Sequence, residues 1–170
     1  MEANGLVHGD NTAYVDPETV LIRRLEKLVE EGIVHLTPNM IFNIQVLGDA
    51  TGIWRSMKVN GTTVILKPMY SETKGTKRKG CGANSKENQI PIGFYLGEDN
   101  LADMRKYLSH LPDALKKIQT SGVEVNGVRV GITLWLGGDL KFLTSMLGMA
   151  GNQTIHPCPL CLAENSKTCR

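Results

Sequence analysis

Two aspartates that follow glycines are the residues of this chain best suited to chemistry on a phosphodiester. Asp49 comes after Gly48, and Asp139 comes after Gly137-Gly138, in each case at the end of an apolar stretch. Magnesium prefers hard oxygen ligands and keeps open positions for water and phosphate. In two-metal sites, ions roughly 3.5 to 4 Å apart stabilise both the attacking and the leaving oxygen of an in-line displacement at phosphorus. The two acids therefore predict a Mg²⁺ or Mn²⁺ site, provided that the fold brings them together.

The same glycines and acids also have ordinary structural interpretations. Gly48, Gly137 and Gly138 are expected to keep side chains away from the place where a nucleic-acid backbone approaches. On spacing alone, however, the simpler interpretation makes Asp139 the N-cap of a following helix, worth about 1 kcal/mol, and Asp49 a turn residue.

A second group with possible chemistry is the pair Cys158 and Cys161, separated by Pro-Leu. Two thiolates at this spacing suit one tetrahedral Zn²⁺, but a structural zinc site normally takes four ligands. His156 or Cys169 would have to contribute, and the site is otherwise a half-site. Free structural thiols or a redox pair are the alternatives.

A positively charged segment lies within residues 71–89, among Gly, Ser, Thr and Asn, and predicts a mobile loop. Its basic residues are Lys74, Lys77, Arg78, Lys79 and Lys86. Such a segment suits contacts with DNA phosphates that weaken in salt. A solvated loop and a nuclear-import signal are the alternatives.

Composition bounds these interpretations without selecting among them. The 170 residues suffice for one sizeable core, and 19 basic against 17 acidic residues leave a net charge of only +2. The four cysteines cluster toward one end instead of forming a disulfide framework, and every apolar run is interrupted. We expect an intracellular, reduced and soluble protein with no membrane segment.

Alternating hydrophobicity predicts the strands that would carry the two aspartates. After a helix that begins at Asp16-Pro17-Glu18 and closes at Gly32, a strand runs from Met40 to Asp49. The turn signal Asn60-Gly61 predicts a hairpin, and its arms are residues 53–59 and 62–66. These three strands form an antiparallel meander, with Trp54 expected in the core or at its edge.

The second aspartate follows a strand reached through a crossover. Apolar residues at helical spacing between Leu101 and Ile118 predict a helix that Pro112 splits or kinks and Gly122 ends. A small hairpin about Asn126-Gly127 then leads into a buried strand that ends at Gly138, with Trp135 as a core or edge residue. Such a crossover usually returns parallel to an earlier strand. With the first strand of the meander as neighbour, Asp49 and Asp139 lie together.

Two motifs of the chain resemble the DDE transposases of the Transib type and the catalytic subunit of the V(D)J recombinase. They are Gly137-Gly138-Asp139 and Cys158-Pro-Leu-Cys161, and Cys158 follows Asp139 by 158 − 139 = 19 positions. The similarity extends to Gly48-Asp49 and to residues 94–100, which open the helix after the third strand in this comparison, and covers about residues 39–162. It implies a ribonuclease-H-like α/β fold, with the meander, a crossover helix and a fourth strand parallel to the first. It also implies metal binding by Asp49 and Asp139, half a zinc site at Cys158 and Cys161, and a nuclear protein acting on DNA.

The departures from this family divide the functional hypotheses. The family's third acid, a glutamate, and its two zinc-binding histidines have no counterpart here, which predicts an incomplete fold and feeble activity for the chain alone. The first hypothesis is a partial or domesticated transposase core that hydrolyses and transfers DNA strands. It would work with the remainder of a transposase or with a homodimer partner. The second is a non-catalytic DNA-binding or protein-interaction module derived from one.

The third hypothesis is a ribonuclease-H-like nuclease that takes its third acid from Glu98 or Asp99. These two acids have a simpler interpretation as caps at the start of a helix. The expected organisation is an accessory helix and linker over residues 1–38, the core over 39–150, and the cysteine half-site over 151–170.

Overall fold

The computed structural model describes residues 6–54, 59–69, 86–97, 100–138, 142–144 and 147. They form an α/β arrangement with one mixed sheet, which confirms the predicted class. The strands are β1 (Val7–Gly9), β2 (Thr12–Tyr14), β3 (Ile41–Trp54), β4 (Val59–Met69), β5 (Ile90–Leu96), β6 (Val123–Val125) and β7 (Val128–Gly138). The helices are α1 (Pro17–Glu30), α2 (Leu101–Tyr107) and α3 (Leu111–Ser121). Across the sheet the strands follow the order β1-β2-β5-β4-β3-β7-β6.

Strand β3 joins the antiparallel and the parallel parts of the sheet, because it has an antiparallel neighbour on one side and a parallel one on the other. It pairs antiparallel with β4 and parallel with β7, and β4 pairs antiparallel with β5. The chain covers the distance between β5 and β7 through α2, α3 and β6. The predicted return of the last strand, parallel to the first strand of the meander, is therefore confirmed.

The predicted hairpin at Asn60-Gly61 is wrong. Strand β3 continues to Trp54, and β4 begins at Val59, so Asn60 and Gly61 lie inside β4, opposite Gly52 and Thr51 of β3. The chain reverses between Trp54 and Val59. A two-residue turn signal is local, whereas the antiparallel ladder that competes with it runs the whole length of β4.

The third strand of the meander is also different from the one predicted. Residues 62–66 belong to β4, and the third antiparallel strand is β5, which follows the basic segment. Residues 94–96 therefore end a strand and do not open a helix. The helix after them begins at Leu101, with Asn100 as its N-cap. The meander exists, but it is built from β3, β4 and β5.

Helix α1 is confirmed where the capping residues predicted it. The Asp16 side chain accepts a hydrogen bond from the Thr19 backbone N–H at 2.9 Å, and Gly32 follows the helix with a φ of 69°. Burial raises the pKa of Asp16, but the hydrogen bonds that its carboxylate accepts from Thr19 outweigh this, and the net pKa lies below its usual value. The helix packs against α3, β5 and β6. Its fully buried residues are Leu21, Leu25 and Leu28.

The split helix and the small hairpin are confirmed as well. The first helical stretch ends at Tyr107, and Pro112 sits in the first turn of α3. Gly122 closes α3 with a φ of 65°, and a Cβ there would lie 2.3 Å from the Val130 carbonyl oxygen, so only glycine fits. Asn126 and Gly127 both have positive φ between β6 and β7, as a two-residue hairpin requires.

Strands β1 and β2 were missed by the sequence analysis. They are three residues each, too short for alternation to show, and they extend the sheet beyond β5. The Thr12 hydroxyl donates to the Phe94 carbonyl at 3.1 Å. The Tyr14 ring lies 3.7 Å, centroid to centroid, from the ring of His110, and burial lowers the pKa of this histidine.

The core occupies the face of the sheet on which the helices pack. Alternate residues of β3 are buried there, namely Phe42, Ile44 and Val46, and they join the leucines of α1 in one cluster. Residues of the opposite face, such as Asn43, are exposed. None of the helices in the described ranges is long and apolar enough to span a membrane.

Candidate metal site at the ends of two parallel strands

The parallel ladder between β3 and β7 ends at the residues that precede the two predicted ligands. Its last pair is Gly48 with Gly138. Asp49 is the next residue of β3, where its backbone still pairs with Thr63 of β4. Asp139 follows Gly138 in the sequence. Asp139 and the side chain of Asp49 lie outside the residues that the structure describes. The structure therefore gives the backbone of β3 at Asp49 and the backbone of β7 as far as Gly138.

Gly138, the last residue of β7, has a backbone conformation that favours glycine. Its φ is 131°, in the region that L side chains rarely adopt. A Cβ at this position would lie 3.0 Å from the Gly48 carbonyl oxygen and 2.9 Å from Cδ1 of Phe142. Any side chain here would therefore collide with the neighbouring strand and with a buried ring.

Gly48 is required for a different reason, which is the Phe142 ring. A Cβ on Gly48 would lie 1.8 Å from Cε2 of this ring, and the ring is fully buried. The space that the glycine leaves is thus filled from within the protein. The expectation that Gly48 leaves room for a nucleic-acid backbone is wrong.

Gly137 has the same kind of neighbour on the other face of the sheet. A Cβ there would meet Nε2 of Gln45 at 2.3 Å and Cδ2 of Leu47 at 2.8 Å. Because two β3 side chains lie across this glycine, the expectation that it admits nucleic acid is wrong too. Gly137 thus serves the packing of β7 against β3, and Gly48 serves the packing of the Phe142 ring against β3.

The remaining predicted metal ligands are distributed outside the described ranges. Cys158, Cys161 and Asp139 are all outside these ranges, so the zinc half-site stays a prediction. Within the ranges that the structure does cover, no group of three or more His, Cys, Asp or Glu side chains is placed to hold a metal.

The basic segment is described only at its far end. Lys74, Lys77, Arg78 and Lys79 fall outside the described residues, while Lys86 is exposed in a 3-10 turn, Lys86–Asn88. The prediction that nothing packs within residues 71–89 is wrong for this turn. Asn88 is fully buried, and its side-chain oxygen accepts two hydrogen bonds from Arg24, from Nε at 2.9 Å and from Nη2 at 2.6 Å.

The alternative third acids, Glu98 and Asp99, also lie outside the described residues. The structure does show that neither is the N-cap of α2, because that cap is Asn100. Its side chain accepts a hydrogen bond from the backbone N–H of Asp103 at 2.8 Å. The interpretation of Glu98 and Asp99 as helix caps is therefore wrong.

Trp135 is a surface residue, so its predicted placement in the core is wrong. The alternative placement at an edge is compatible with its position on β7, beyond the residues that pair with β6. Trp135 is 54% exposed, and its indole N–H donates to the Asn43 side-chain oxygen at 2.9 Å. The error has a physical cause: in an apolar run, periodicity alone does not tell which alternate residues face the helices. The side chain of Trp54 is not among those described.

Comparisons with known proteins do not assign this site. No protein-family model matches the chain, and no curated protein matches it.

Proposed function

We propose that this chain carries a ribonuclease-H-like core of the DDE transposase type, which acts on DNA phosphodiesters with divalent metal. Asp49 and Asp139 are its two metal-binding carboxylates. The observation that carries the proposal is the parallel pairing of β3 with β7, which ends at Gly48 opposite Gly138. Asp49 follows Gly48 in the sequence, and Asp139 follows Gly138.

Strand geometry explains why this register favours a shared metal. Adjacent strands lie about 4.8 Å apart, so two residues that each follow a paired position are expected at neighbouring points of the sheet. Asp49 is inside β3, which continues to Trp54, and Asp139 follows the last residue of β7. Short carboxylates at such points reach a common cation, and Mg²⁺ is commonly held by one or two carboxylates with water and phosphate. In α/β sheets, moreover, ligands bind outside the carboxyl ends of parallel strands, which is where Asp139 follows β7.

The ribonuclease-H-like part of the proposal is supported by the order of the strands. Three antiparallel strands come first, β3, β4 and β5, and the chain then crosses through α2 and α3 to a strand parallel to β3. This is the order that the family resemblance implies. Strands β1, β2 and β6 are additions at the two edges.

The proposed reaction is displacement at phosphorus. A water molecule, or the 3′-hydroxyl of a DNA end, gives its proton to solvent and forms a new P–O bond as the bond to the leaving 3′-oxygen breaks. The leaving oxygen takes up a proton from solvent and becomes a 3′-hydroxyl. Divalent metal supplies charge stabilisation for both oxygens. Asp49 and Asp139 would hold the metal, while Lys86 and the rest of the basic segment contact DNA phosphates.

Metal binding tests the proposal directly, because it does not depend on turnover. Mn²⁺ titrated into the 170-residue protein and followed by electron paramagnetic resonance should show a bound population. Asp49→Asn and Asp139→Asn should each raise the Kd by at least about tenfold, since they remove a charged ligand. Asp113→Asn is the matched control, because Asp113 is an exposed acid in the first turn of α3, and it should leave the Kd unchanged.

The same variants separate a metal-dependent core from a binding module that does no chemistry. If the proposal holds, the affinity for DNA rises with Mn²⁺ in the wild type and loses that dependence in both Asp→Asn variants. Salt-sensitive DNA binding that ignores the metal and both substitutions contradicts it, and favours the non-catalytic module.

A further inference from the structure

We infer that Phe142 is a positioning residue of the metal site: its ring holds Gly48 of β3 and Gly138 of β7 in the arrangement from which Asp49 and Asp139 can share a cation. This inference rests on the proposed function, because it assigns a role in that same site. It concerns a residue that touches neither metal nor substrate.

The ring contacts both strands at the last pair of the parallel ladder. It occupies the space that a side chain on Gly48 would fill, with Cε2 1.8 Å from the Cβ position. It also approaches Gly138, with Cδ1 2.9 Å from the corresponding Cβ position. One aromatic group therefore packs on the two residues that immediately precede the two proposed ligands.

The residues around Phe142 keep its ring in place. Phe142 is fully buried, and the nearby Thr144 is 2% exposed. The turn continues beyond them, because the Leu147 backbone N–H donates to the Leu143 carbonyl at 3.0 Å. A fully buried ring in a close-packed interior has little freedom to move, so it constrains the strands against which it packs.

The placement of a short acid depends strongly on its backbone. An aspartate has only two side-chain torsions, so a shift of the strand end moves its carboxylate by a similar distance. Functional constellations tolerate displacements of only about 0.5 Å, and supporting residues that orient ligands typically cost 10- to 100-fold in metal affinity when they are altered. Phe142→Leu removes ring atoms from the contact with Gly48, so the backbones of β3 at Gly48 and of β7 at Gly138 can shift.

The competing explanation is that Phe142 only fills the core. Phe42 provides the matched control because it is a second buried phenylalanine, 2% exposed, on the same face of β3 as Gly48. It lies six residues before Gly48, which corresponds to about 20 Å along a strand. Phe42→Leu should therefore disturb the core without disturbing the strand ends.

The experiment compares Phe142→Leu and Phe42→Leu in the 170-residue protein. Both should lower the urea midpoint of unfolding. At a temperature well below unfolding, Phe142→Leu should raise the Mn²⁺ Kd about tenfold, whereas Phe42→Leu should change it by less than about twofold. Phe142→Met has about the same volume as Phe142→Leu, but its longer, unbranched side chain can reach further toward Gly48. It should recover part of the affinity and serves as the second variant if Phe142→Leu does not fold.

The outcomes distinguish the inference from the function on which it rests. Equal Mn²⁺ affinity in the two Leu variants, with Asp49→Asn still losing binding, overturns the role of Phe142 and leaves the metal site standing. No specific Mn²⁺ binding by the wild-type protein overturns both.

Discussion

Gly48→Ala should lower the free energy of unfolding by about 3 kcal/mol, at the upper end of the usual cost of overpacking a core. The added Cβ would lie 1.8 Å from Cε2 of Phe142, a separation that real structures do not allow. Both groups are buried, so the strand or the ring must move. Urea denaturation followed by far-UV circular dichroism measures the loss.

Two comparisons isolate the cause of that loss. Gly131→Ala makes the same substitution on β7, where the Cβ would meet Cγ1 of the exposed Ile41 at 3.3 Å, and a small shift relieves it. It should cost less than about 1 kcal/mol. In a Phe142→Ala background, Gly48→Ala should become nearly neutral, because the ring is gone. An equal loss with and without the ring would show that the contact is not responsible.

Asn88→Ala should lower the free energy of unfolding by a similar amount, about 3 kcal/mol. Asn88 is fully buried, and its side-chain oxygen accepts from both Nε and Nη2 of Arg24, which is itself 8% exposed. Removing the amide takes two hydrogen bonds from a charged group that has little access to water. The same urea experiment, run at neutral pH, gives the value.

The control for Asn88 is an amide whose hydrogen bond is exposed. Asn43→Ala removes the acceptor of the Trp135 indole N–H at the surface, and it should cost less than about 1 kcal/mol. The double variant Arg24→Met with Asn88→Ala should be more stable than Asn88→Ala alone, since it removes the buried charge as well. A double variant that is less stable than that single one would refute this account of the pair.

The Arg24–Asn88 pair also has a structural consequence, because Asn88 lies at the end of the basic segment. The turn Lys86–Asn88 is the end of the basic segment 71–89, and β5 begins two residues later at Ile90. The Arg24–Asn88 pair therefore ties the return of that segment to α1. Sequence patterns did not reveal this contact, because the two residues are 64 positions apart and neither belongs to a motif.

The elements that could be predicted from the sequence were those with local chemical causes. Asp16 with Pro17 began a helix, Gly122 ended one, and Asn126-Gly127 formed a hairpin, because each depends on backbone torsions within a few residues. The Asn60-Gly61 signal failed because strand pairing over the length of β4 outweighs a local turn preference. Turn residues identify candidate reversals, and long-range pairing selects among them.

At the candidate site, too, only part of the arrangement could be predicted from the sequence. The neighbouring placement of Gly48 and Gly138 followed from the crossover rule, which is a property of chain connectivity and strand twist. The partner of Gly48 could not be foreseen, because the buried Phe142 ring reaches it only in the folded protein. Glycines near two acids suggested room for a ligand, but the structure fills that room with side chains at Gly48 and Gly137.

If Asp49 and Asp139 bind one metal centre, iron bound in the same place should cut the backbone beside both of them. Fe²⁺ competes for carboxylate sites that take Mn²⁺, and with ascorbate and peroxide it generates radicals that cut the nearest backbone. Mass spectrometry of the fragments should find cuts near both residues 49 and 139, both suppressed by excess Mg²⁺ and both lost in Asp49→Asn. Cuts near only one of the two aspartates, or a cut at 139 that survives Asp49→Asn, would contradict a shared site.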